Sequence, residues 1–170
     1  MEDVRIHNYG DGIRLLDEAR DARIIDVHLS FIRDDCVEND DLHGAVVRDS
    51  LLDGCYVAFS ARPWQDDFEG TGADERGIVE DSLVRLQPMP TVYRGPTPGH
   101  GGFFKWDRAG RSPRLVLRDN VFRADQDSNH TTMGIPPGAD CEGNTMVWLG
   151  EGPDPADLPA CFDLTTDVAV

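Results

Sequence analysis

The stretch IRDDCVENDD, residues 32–41, places five carboxylates, Asp34, Asp35, Glu38, Asp40 and Asp41, around one cysteine, Cys36. Three kinds of chemistry suit such a run. Two carboxyls held close together repel, so one keeps its proton while another stays charged, and general acid and base catalysis needs that division. Several carboxylate oxygens converging at a folded turn would instead hold a hard cation, and calcium is the ion these five residues suit. The third reading is a solvated turn whose charges discourage stacking against another molecule. Farther along lie Arg62, Tyr93, Arg94, His100, Lys105 and Trp106. Rings that stack on pyranose faces, beside groups that take hydroxyls and carboxylates, line sugar-binding clefts. The same residues serve equally well to pack a loop onto its scaffold.

The charge balance narrows the ligand classes. In 170 residues there are 32 Asp and Glu against 16 Lys and Arg, a formal net charge of −16. Asp outnumbers Glu, and Lys105 is the only lysine. Such a chain repels nucleic acid and anionic membrane, so neither is expected as a partner. An Asp-rich, Lys-poor surface is also what adaptation to high salt produces, where screening removes much of the repulsion; a GC-rich genome explains the scarcity of lysine but not the excess of Asp. No apolar run approaches the length of a membrane span, and Met1 opens onto EDVRIHN, which lacks the pattern of a signal peptide. Membrane insertion is therefore not expected.

The elements that position these residues come from a repeat. The segments VVRDSLLDGCYVAFS, IVEDSLVRL and LVLRDNVFRAD share an apolar pair, a charged residue, Asp, Ser or Asn, and two further large residues. DVHLSFIRDDCVE enters the same frame with Ser30 at the Ser/Asn position, and VRIHNYGDGIRL with Asn8. Asn8, Ser30, Ser50, Ser82 and Asn120 then recur at spacings that imply a basic unit near 21 residues with two enlarged units. Short alternating runs of Val, Ile, Leu and Phe read as strands, and only LLDEARDA has a helical period. Units this small cannot bury an apolar face alone and must stack. The expected fold is all-β, a right-handed parallel β-helix, or solenoid, of about five to six coils. The recurring Ser and Asn would form an internal ladder. An antiparallel sandwich is the alternative, though the Asn-Gly hairpin signals it needs are mostly missing.

One domain is expected over residues 1–170, with coils to about residue 125 and loop insertions at 62–77 and 88–113. A last strand in NTMVWLG and a covering tail lie within 126–170, and the abrupt end reads as a piece of a longer chain. The second insertion, holding Tyr93, Arg94, His100, Lys105 and Trp106, is where a rigid scaffold would carry binding residues. No CxxC spacing points to zinc. Cys141 and Cys161 could close their loop as a disulfide in an oxidising compartment, whereas Cys36 and Cys55, inside apolar runs, read as buried thiols.

Placed in such a coil, DVHLSFIRDDCVE resembles the central coil of the polygalacturonase-type glycoside hydrolases, whose pattern runs Asn-Thr-Asp, Asp-Asp-Cys, Gly-His-Gly and Arg-Ile-Lys on successive coils. YGDGI stands in the first place, with Asp11 as the matching carboxylate, and Asp34 and Asp35 match the pair. Cys55 stands where the histidine belongs, and no Arg-Ile-Lys follows. The resemblance implies Asp11, Asp34 and Asp35 as catalytic carboxyls, a polysaccharide or oligosaccharide substrate, no required cofactor, and an extracellular or cell-surface setting. A calcium-dependent lyase, with Arg62 or Arg94 as base, and a non-catalytic adhesion or structural module are the alternative functions.

Overall fold

The computed structural model describes residues 1–17, 19–63, 69–90, 98–107, 109–128, 132–156 and 158–167. Among them there is no helix, and thirteen strands form one sheet wound nearly into a barrel. Every strand pairing in it is parallel, which rules out the antiparallel sandwich. The single antiparallel contact among the described residues is an isolated bridge between Met89 and Gly99. LLDEARDA forms no helix in its described residues; its apolar residues are too few to give a helix a buried stripe.

The order of strands follows from left-handed corners. β1 (Glu2–His7) and β2 (Ile13–Leu15) both pair with β3 (Ala22–Asn39), an 18-residue strand bent at Asp26 and Phe31, whose φ angles are 51° and 53°. The first part of β3 pairs with β4 (Ala45–Arg48), and its middle and end pair with β5 (Leu51–Ala61). Beyond β4 lie β6 (Arg76–Glu80), β9 (Arg114–Arg118) and β11 (Asp140–Glu142). The opening residues of β5 continue into β7 (Leu83–Leu86), β10 (Val121–Ala124), β12 (Asn144–Trp148) and β13 (Phe162–Thr165). The end of β5 pairs with β8 (Phe104–Trp106). At one corner Asp3, Asp26, Asp49, Asp81 and Asp119 all have φ between 50° and 53°, a left-handed conformation that Asp tolerates better than most residues.

Immediately after this corner sits the buried ladder. Ser50 Oγ accepts the Val27 N–H at 3.2 Å, Ser82 Oγ accepts the Ser50 N–H at 3.2 Å, and Asn120 Oδ1 accepts the Ser82 N–H at 3.1 Å. Asn144 Oδ1 accepts both the N–H and the Nδ2 of Asn120, at 3.2 and 2.9 Å. The side chains also donate inward, Ser50 to the Arg48 carbonyl and Asn120 to that of Val79. Ser30 and Asn8 do not belong to this column: Val27 and Val4 occupy its first places, and Ser30 faces outward to His7 at 3.0 Å. The frame that admits Val27 takes Asp26 as the anchor rather than a polar side chain after it. It gives a basic unit of 23 residues in place of about 21, with enlarged units of 32 and 38.

Leu29, Leu52, Val84, Phe122 and Met146 stack in one apolar column through the interior, all nearly inaccessible. The second insertion is not wholly a loop, because Phe103 and Phe104 enter this core and β8 extends the sheet. The tail adds β11 and β13, and Phe162 packs on Phe122 at 5.5 Å between centroids. Cys141 and Cys161 form a disulfide, as do Cys36 and Cys55, which are not free thiols: parallel stacking brings their Cα atoms to 5.7 Å, within bonding range. Replacing Asn120 by Ala should cost about 1–3 kcal/mol, because the buried Ser82 N–H loses its acceptor. Ser30→Ala should stay within about 0.5 kcal/mol. Denaturant unfolding of the two variants measures the contrast, and equal losses would contradict the placement of the ladder.

Candidate functional site

The third run of the sheet, made of β2, the end of β3, the end of β5 and β8, gathers the opening motif. Arg14 stands beside Glu38, Glu38 beside Ser60, and Ser60 beside Lys105 on four successive strands. The segment before β2 lies against the start of the motif: Arg33 and Asp34 donate their N–H groups to the carbonyls of Tyr9 and Gly10, and Gly12 donates to that of Asp35 at 3.0 Å. A Cβ on Gly12 would come 2.5 Å from the Cys36 carbonyl oxygen, so glycine permits this approach. Asp11 is thereby brought into the electrostatic field of Asp35 and of Glu38.

Asp35 is 1% exposed, and Lys105 Nζ donates to its Oδ2 at 2.7 Å across 70 residues of chain. Burial pushes the Asp35 carboxyl above its ordinary range; the Lys105 charge and hydrogen bond oppose that shift, while Asp34 and Asp11 add to it. Its other oxygen, Oδ1, has no hydrogen-bond donor among the described residues. Glu38 is pushed up to about 7, chiefly by burial and then by Asp11, Asp40 and Asp35, with Arg14 pulling the other way. Arg14 Nε and Nη2 hydrogen bond to Asp40 Oδ2, and Nε also lies 3.1 Å from Glu38 Oε2, an ion pair outside hydrogen-bond geometry. Asp41 Oδ2 is turned elsewhere and accepts the Asp17 N–H at 2.5 Å.

Asp11, Asp40 and Asp35 thus act on Glu38, and Asp34 and Asp11 on Asp35, while Asp41 is engaged at the neighbouring turn. Among the described residues no three His, Cys, Asp or Glu side chains converge as ligands of a metal ion. Of the residues expected to contact a sugar, Tyr93 and Arg94 lie outside the described residues. Arg62 is exposed at the end of β5. His100 is fully buried, with Nδ1 2.7 Å from the Gly101 carbonyl, and burial lowers its pKa. Trp106 donates to the Pro113 carbonyl at 2.9 Å and packs edge-on to Phe104. Of the described ones, Lys105 joins the carboxylates. Arg14 and the exposed Tyr9 were not singled out by sequence, although both flank the GDG segment that carries Asp11.

An acid whose folded pKa lies above its unfolded value is protonated longer in the native state. Its stabilising effect is complete below about 4.5 and lost as pH rises toward about 7. Glu38→Gln should remove this dependence, flattening the melting temperature between those pH values and raising it on the alkaline side; an unaltered profile would contradict the shift. Lys105→Met leaves Asp35 buried and unpaired and should cost about 3–5 kcal/mol, largely recovered when Asp35→Asn is added. Thermal or denaturant unfolding of the single and double variants checks this coupling. No family model matches the chain, and neither a curated protein nor a solved structure matches it.

Proposed function

We propose that this chain is a right-handed parallel β-helix of five or six coils that binds and hydrolyses a carbohydrate polymer along the face bearing Asp11, Asp34, Asp35 and Glu38. The observation that carries the reading is Glu38, its side chain 13% exposed among carboxylates and pushed up to about 7. A carboxyl that retains its proton near neutrality is what a glycosidic leaving oxygen needs, and a second carboxylate must then activate water. Asp11 and Asp34 are less buried than Asp35 and are the candidates for that second role. Inversion at the sugar carbon would require the acting pair to stand roughly 6.5–9.5 Å apart. Asp35, tied to Lys105, holds charge behind them and raises the Glu38 proton affinity. The resemblance of DVHLSFIRDDCVE to the polygalacturonase-type coil supports the same assignment of Asp11, Asp34 and Asp35. Two disulfides support an oxidising setting, extracellular or at a cell surface.

A second reading, a non-catalytic surface or adhesion module, is favoured by the pairing of Asp35 with Lys105 and of Asp40 with Arg14, which makes the carboxylates a clamp between strands. Release of reducing ends from a panel of polysaccharides separates the two. The hydrolase reading expects new reducing ends without unsaturated products, no dependence on calcium or chelator, and a loss of about a hundredfold or more in Glu38→Gln and in one of Asp11→Asn and Asp34→Asn. Activity should fall as pH rises through about 7, as the Glu38 proton is lost. Unsaturated products that require calcium would establish the lyase instead. A wild-type protein inert on every polymer would leave the clamp.

A further inference from the structure

Strands in the middle of the sheet are paired on both sides, and those at its two ends on one side only. Among the described residues β1 and β2 pair with β3 alone, and β13 pairs with β12 alone. The exposed apolar side chains gather at the same two places. Of the five large ones exposed among the described residues, Met1, Tyr9 and Leu16 flank β1 and β2, and Leu164 lies in β13. The interior apolar column through Leu52 and Phe122 begins at Ile6, which is partly buried, and finishes at Leu164, 40% exposed. An open sheet edge with an apolar column behind it is a template for a further strand.

Charge says which strand that is. Residues 1–33 hold five Arg against seven Asp and Glu, whereas the residues after Arg123 hold nine Asp and Glu and no Lys or Arg. Two copies meeting by their C-terminal ends would set acid against acid, while the N-terminal end offers arginines to an acidic one. Register makes the match specific: Arg5 starts an outward column that passes through Leu51 and Leu83 and finishes at Asp163. We propose that copies of this chain associate end to end, the free edge of β13 in one pairing in parallel with the free edge of β1 in the next. Asp163 then lies beside Arg5 and Leu164 beside Ile6, at the spacing of about 4.8 Å usual between paired strands. The contact joins two different surfaces and leaves the same two free at the ends of the pair, so it propagates rather than closing. The four residues of β13 bury far less than the roughly 800 Å² per partner of a standard interface, which makes the association weak and dependent on concentration. It holds whichever ligand the carboxylate face takes.

Sedimentation velocity of the whole chain from micromolar to near-millimolar concentration tests this, in enough salt to screen the net charge of −16. Wild type, Arg5→Asp, Asp163→Arg and the double reversal are compared, each checked for a native melting transition. Wild type should grow with concentration through dimers into longer species. Each single reversal should raise the concentration for half assembly by about fivefold or more, and the double reversal should return it to within about twofold of wild type. An equimolar mixture of the two single variants should assemble as well, because each meets its opposite charge in the other. Monomer at every concentration would overturn the proposal. A dimer that grows no further would overturn it in favour of a symmetric contact, and natively folded single reversals that assemble as wild type does would overturn it in favour of another surface.

Discussion

Parallel stacking held in register at the corner is the constraint on which the molecule depends, and the buried ladder through Ser50, Ser82, Asn120 and Asn144 enforces it there, while β5 slips against β3 between Ile32 and Asp35 and against β7 between Asp53 and Cys55. Each side chain on the ladder accepts the backbone N–H of the preceding repeat while donating to a carbonyl nearby. A slip of one residue would leave these groups unpaired inside the core and would turn Leu29, Leu52 and Phe122 toward solvent. Left-handed residues just before the ladder, Asp3, Asp26, Asp49, Asp81, Asp119 and finally Gly143, turn the chain at the same point in each repeat. Polar pairing and apolar columns thus specify the same register, and this consistency is what gives short strands a single structure.

Register also accounts for the chemistry of the lateral face. Arg14, Glu38, Ser60 and Lys105 are distant in sequence and adjacent in space because they fall at equivalent positions on successive strands. The face concentrates carboxyls in part-buried surroundings, and among the described residues Lys105 and Arg14 are the cations paired with them. Its like-charge repulsion is therefore built in by the scaffold. Lys105, the single lysine, sits where its loss would leave a wholly buried carboxylate unpaired.

Much of this was legible in the residues. Alternating apolar runs and a recurring Asp-Ser or Asp-Asn pair were enough to indicate stacked strands, and Asp11 and Asp34 are both near enough to raise the Asp35 carboxyl. The frame was misread at its start because Val27 fills a ladder position whose polar members appear only later; the shared feature is the left-handed corner before the ladder, taken by aspartate from Asp3 to Asp119 and by Gly143 before Asn144. Cys36 and Cys55 looked like isolated thiols because their contact depends on the register, with a separation of 19 residues that no local pattern reveals. The second insertion read as a polar loop since Gly and Pro dominate it, yet FFKW alone completes a strand and buries two rings. Arg14 escaped notice for a related reason: an exposed arginine on a three-residue strand acquires its meaning only from Glu38 and Asp40 one repeat later.

The fold brings carboxyls from separate repeats into one field, and Glu38 reports that field. The most direct measurement is the pH titration of its side-chain carboxyl carbon by NMR in the wild type and in Asp11→Asn. A midpoint near 7 that falls when the Asp11 charge is removed is the predicted result. A midpoint at the ordinary value of an exposed glutamate, indifferent to Asp11, would contradict the convergence from which the proposed chemistry follows.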